Sequence, residues 1–121
     1  MQEALKAYAT VAKETASPRD LEALLLLKAA SKLQAVYEGW SDKPKGLEDA
    51  LLYNRRLWVV FVDAVLSEES HLPVGIRQNI ANLGIFVMGE TFSLMTNPEP
   101  NHLVPLININ RGLAAGLQGR A

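Results

Sequence analysis

The residues of this chain whose side chains could do chemistry are few, and their spacing suits neither catalysis nor metal binding. His71 and His102 are the only histidines. Both fall in predicted loops, without a second histidine at the short spacing that a zinc site uses, so they read as surface or capping residues. Glu68 and Glu69 before His71 form an acidic turn, and runs of like charge usually face water. Asp49 and Asp63 share a helical stripe but lie about four turns apart, ~21 Å by helical rise, too far for paired-carboxylate catalysis. No serine occupies a Gly-x-Ser-x-Gly elbow, and Gly112 to Gly116 lacks the lysine and strand of a phosphate-cradling loop. Cysteine is absent, which removes disulfides, thiolate catalysis and cysteine zinc sites. The reading is a non-enzyme with no catalytic residue, cofactor site or metal site.

Two other groups stand out. Arg55-Arg56-Leu57-Trp58 interleaves bases with an aromatic residue, as an RNA-binding surface can. Helical geometry points Trp58 to the core face and Arg56 away from it. The structural reading therefore sets Arg56 between carboxylates and packs the stem of Arg55 at an edge. Asn54 and Asn110 each interrupt an apolar helical face. A buried amide needs partners, because an unsatisfied group costs ~1–3 kcal/mol. They can bond to backbone ends, bond to each other, or fix helix register.

The elements that must position these residues are helices. Strand signals closed by Asn-Gly or Asp-Gly are missing, whereas helical spacing recurs between breaks at Thr15–Ser17, Gly39–Gly46, Ser67–Leu72 and Thr96–Asn101. Five helices follow. The first, Gln2 to Glu14, carries a thin stripe of Leu5, Tyr8, Ala9 and Ala12. The second, Pro18 to Glu38, starts with a Ser17 cap, Pro18 in the first turn and Asp20 at the positive end of the dipole. It groups Leu26, Ala29, Ala30, Leu33 and Tyr37, which leaves Leu24 and Leu27 off that face. The third, Leu47 to Leu66, groups Leu47, Ala50, Leu51, Asn54, Trp58, Phe61 and Val65. Leu52, Val59 and Val60 lie on its other side, with a polar stripe of Asp49, Arg56 and Asp63. A helix apolar nearly all round is central. The fourth, Pro73 to Met95, groups Ile76, Ile80, Leu83, Val87, Thr91 and Leu94, with Ile85, Phe86, Met88 and Phe92 widening that arc. The fifth, Leu103 to Gln118, groups Leu103, Leu106, Asn110, Leu113 and Leu117.

The expected architecture is one all-α domain over residues 1–121, a compact bundle of about five helices around the third. Twelve basic against thirteen acidic residues, net charge −1, argues against an electrostatic nucleic-acid binder. The N-terminus lacks the pattern of a signal peptide, and no window reaches the ~18 apolar residues of a membrane span. Together with the absence of cysteine, this reads as cytoplasmic.

Asn54-Arg55-Arg56-Leu57-Trp58 resembles the FlaF family of flagellar biosynthesis regulators. The chain is also similar to that family at Tyr8, at Thr15-Ala16-Ser17-Pro18-Arg19, at Leu72-Pro73 and at Leu106 to Leu113. The matches keep their order over nearly the whole chain. One departure is the run Leu24 to Leu27, where the family has a more mixed stretch. The resemblance implies a flagellum assembly factor that binds flagellin as a secretion chaperone does and acts alongside the regulator FlbT. On that basis Tyr8, Arg19, Leu24, Leu27, Arg55 and Arg56 are the candidate partner-binding residues. Ser17, Pro18, Asn54, Trp58 and Asn110 are the structural motif. The competing reading is a post-transcriptional regulator acting on flagellin messenger RNA, directly or through FlbT.

Overall fold

The structure, a computed structural model, describes residues 18–68, 70 and 72–119. The expected first helix, with Tyr8, and the Ser17 cap lie outside these residues. Four α-helices and one short 3-10 turn make up the rest: α1 (Pro18–Glu38), α2 (Leu47–Leu66), α3 (Val74–Thr96), the turn Pro100–His102, and α4 (Leu103–Leu117).

Helix α1 keeps Asp20 in its first turn, where a carboxylate meets the positive end of the dipole. Ala23, Leu26, Ala29, Ala30, Leu33 and Val36 are buried at intervals of three and four, the spacing of one helical face. Val36 rather than Tyr37 continues that stripe, and Tyr37 is exposed. The helix ends where the Gly39 N–H bonds to the Ala35 carbonyl at 3.1 Å. Gly46 then turns the chain into α2 with φ of 78°, in the left-handed region that a side chain disfavours. Its carbonyl accepts the Ala50 N–H at 2.9 Å.

The buried row of α2 is the one its spacing predicts: Leu47, Ala50, Leu51, Asn54, Trp58, Phe61 and Val65. Trp58 is fully buried and meets Phe61 edge-on, ring centroids 5.8 Å apart, a favoured aromatic geometry. Pro73 stands just before α3 instead of within its first turn. Its carbonyl accepts the Arg77 N–H at 3.0 Å, and its missing N–H costs nothing at that position. Further on, the His102 Nδ1 meets Glu90 Oε2 at 2.8 Å and ties the 3-10 turn to α3.

Helix α1 packs most extensively against α4, and α2 lies between α1 and α3 with contacts to both. On the α1 side, Tyr53 holds its ring 5.6 Å from the Lys28 ammonium and 5.0 Å from that of Lys32, a cation–π clamp between the two helices. On the far side, α2 reaches α4 through Trp58. The helix predicted to be third is thus the long central element of an all-α bundle.

Candidate functional site: an apolar furrow

Trp58, Asn110 and Asn54 form a single buried chain of hydrogen bonds. The Trp58 Nε1–H donates to Asn110 Oδ1 at 2.9 Å, and Asn110 Nδ2 donates to Asn54 Oδ1 at 2.7 Å. The second of the three options open in the sequence, mutual pairing, is the arrangement seen. Asn54 Nδ2 has no partner among the described residues. The chain joins α2 to α4 and fixes the rotation of α2 about its axis. That rotation decides which of its apolar residues point outward.

Those outward residues meet a matching set on α3. Helices α2 and α3 run antiparallel, and Gly84 lets them approach closely: a Cβ there would stand 2.9 Å from Val62 Cγ2 and 3.9 Å from Trp58 Cε3. Above this contact, Leu52, Arg56, Val59, Asp63 and Leu66 form one row on α2. Ala81, Ile85, Met88, Phe92 and Met95 form another on α3. Both rows step by four and three alternately, the spacing of a straight helical seam.

Between the rows lies a furrow of about 630 Å³ floored by Trp58, Val62 and Gly84 and walled by Val59, Val60, Leu66, Ala81, Ile85 and Met88. Two smaller recesses prolong it. One is lined by Arg55, Met88, Thr91, Phe92 and Met95, the other by Leu52, Arg55, Arg56, Val59 and Val60. The whole face spans about four turns of α2, ~21 Å. Ile85 is 73 % exposed, Phe92 69 % and Val60 68 %. Apolar residues contiguous on this scale mark an interaction surface rather than scattered exposure. Arg55 and Arg56 charge one end of the α2 wall and Asp63 the other. None of the three makes an ion pair among the described residues.

The remaining candidates lie elsewhere. Leu24 is 48 % exposed. Leu27 packs half-buried against the core, because at 100° per residue it falls beside Ala23 and Ala30. Neither lines the furrow, which α1 does not reach. Arg19 and Glu22 border a separate recess with Phe61, Val65 and Leu117. There burial raises the Glu22 carboxyl pKa, with the Arg19 charge opposing it. Of the partner-binding set, only Arg55 and Arg56 stand at the furrow. The spacing analysis assigns Ile85, Phe86 and Phe92 to the inward arc of their helix, yet all three are exposed. No signal in the sequence separates them from buried residues, since the buried row of α2 steps by threes and fours as well.

No group of three His, Asp or Glu side chains among the described residues could hold a metal ion. No helix among them is long and apolar enough to cross a membrane. A family model described as Flagellar protein FlaF matches residues 4–117. The chain belongs to the FlaF family. No curated protein and no solved structure matches it. FlaF membership gives the chain a role in flagellum biogenesis, regulatory and chaperone-like rather than catalytic. It also implies interaction with components of the flagellum. In this FlaF chain the α2–α3 furrow is a candidate surface for such contact.

Proposed function

We propose that the furrow receives an amphipathic terminal helix of unpolymerised flagellin. The protein then acts in the cytoplasm as a single-domain flagellin chaperone that promotes secretion and filament assembly. The observation that carries this reading is the exposed apolar face itself. Its ~21 Å length takes about fourteen residues of helix, and its chemistry is that of a groove that grips an amphipathic helix by its apolar stripe. Flagellin before assembly carries such stripes, and they need shielding until they pack in the filament. The Met88 and Met95 side chains can adapt to different occupants. Arg55 and Arg56 would engage carboxylates flanking the stripe.

Calorimetric titration with the host's monomeric flagellin tests this. Micromolar or tighter binding is expected, with a negative heat-capacity change from apolar burial. Ile85→Glu should weaken binding by at least about 30-fold, because it places a charge in the desolvated centre of the contact. The helical circular dichroism should not change, since the side chain is exposed in the free protein. Wild-type affinity in Ile85→Glu would remove the furrow as the site and turn attention to Leu24. No binding by the wild type would sink the direct flagellin reading and favour action through FlbT or on the messenger. Direct RNA contact would then show as a steep loss of affinity with salt.

A further inference from the structure

The α2 row reads the same in both directions with its charges exchanged. From Val59 outward it meets Arg56 on one side and Asp63 on the other, then Leu52 and Leu66. A second copy laid antiparallel across it, with Val59 on the two-fold axis, brings leucine to leucine and arginine to aspartate at both ends. Four of the five α3 residues pair in the same way about a point between Ile85 and Met88, while Met95 falls opposite Gln78. Ile85 then faces Met88 of the second copy, and Phe92 faces Ala81, a large side chain over a small one.

The two symmetry points also lie at one level. Val62 stands against Gly84, where an added Cβ would lie 2.9 Å from Val62 Cγ2. In antiparallel helices Val59, three residues earlier, is then level with Val87, between Ile85 and Met88. One two-fold axis therefore serves both rows, and such self-complementarity is what an isologous interface requires.

We infer that the α2–α3 face is a self-association surface, on which two copies form an antiparallel four-helix bundle held by reciprocal Arg56–Asp63 pairs. Two helical hairpins meeting on their apolar faces is a standard route to such bundles. Arg56 and Asp63 lack ion partners within the chain among the described residues, so both are free to pair between copies. The face is about 21 Å by 20 Å, roughly 400 Å² in plan, small beside the ~800 Å² that each partner of a stable complex usually buries. The dimer is therefore weak, and a flagellin helix entering the furrow displaces the second copy. Self-association is measured on the protein alone, so its outcome is independent of the flagellin reading.

Sedimentation velocity over a wide concentration range decides it. The wild type should pass from monomer to dimer with a micromolar dissociation constant. Arg56→Asp makes an all-acidic row and Asp63→Arg an all-basic one. Each should weaken self-association by at least about 30-fold through two like-charge contacts. Mixed in equal amounts, the two variants should recover a dimer, now heterotypic, and the double variant should recover a homodimer. Both positions are exposed, so circular dichroism should show the fold intact. A wild type that stays monomeric at every concentration overturns the proposal, whether the face is bare or covered by the chain's own N-terminal segment. So do single variants that dimerise as the wild type does, or a mixture that stays monomeric.

Discussion

Replacing Asn110 with alanine is expected to lower the unfolding free energy by about 2–5 kcal/mol, a large part of the 5–15 kcal/mol that a domain usually has. The asparagine is fully buried, and among the described residues it links two other buried polar groups. Without it the Trp58 Nε1–H loses its acceptor and Asn54 Oδ1 loses its donor. Each orphan costs ~1–3 kcal/mol, and the lost side-chain volume leaves a cavity. Asn54→Ala should cost less. It orphans only Asn110 Nδ2, and it also removes the unpaired Asn54 Nδ2. Asn108→Ala, on the exposed side of the same helix, serves as the reference. Urea unfolding followed by tryptophan fluorescence gives all three values. Equal costs at positions 54 and 110 would contradict the directional chain of bonds.

Gly84→Val is expected to destabilise by about 3 kcal/mol, at the upper end of overpacking costs. The first added carbon already stands within 2.9 Å of Val62 Cγ2, and two more methyl groups must press on Val62 or the Trp58 ring. Relief comes only by moving α3 away from α2, which spreads the furrow. The opposite sign is expected five residues along the helix. Gly89 has nothing within 4 Å of its added Cβ, so Gly89→Ala should stabilise by up to ~1 kcal/mol through helix propensity alone. Thermal unfolding of the two variants checks both signs. If Gly84→Val melts with the wild type, the close approach of α2 and α3 is not a constraint on the fold.

Much of this architecture could be read from residue order, and the part that could not has a definite cause. Pro18, the Gly39–Gly46 segment and Leu66 bound α1 and α2 where sequence expects, because proline and glycine act on the local backbone. Asn54 and Asn110 were conspicuous as amides on apolar faces that needed partners, but which of the three open arrangements they adopt, the mutual bond, is seen only in the fold. The furrow was hidden because periodicity reports that a residue is apolar, not what covers it. Val59 and Val60 implied a covering layer, and Ile85 and Phe92 an inward arc. Among the described residues each instead faces outward. The leucine run divides similarly: Leu26 enters the core, Leu27 half enters it, and Leu24 and Leu25 do not. An apolar face kept for a partner and one kept for the core have the same composition, and only the fold separates them.

The extensive pairing of α1 with α4, the first and last described helices, bears on how the protein is made. On the ribosome α1, α2 and α3 emerge well before the segment that seals them together. Until residues 103–117 leave the exit tunnel, α1 lacks the more extensive of its two packing surfaces, and Trp58 lacks the Asn110 acceptor for its indole proton. Contacts between distant parts of a chain form late because the intervening loop must close first. Stalled nascent chains that end before α4 should remain open to protease, and those that have released it should resist. Synthesis of α4 is thus the event that commits the described bundle to its native state.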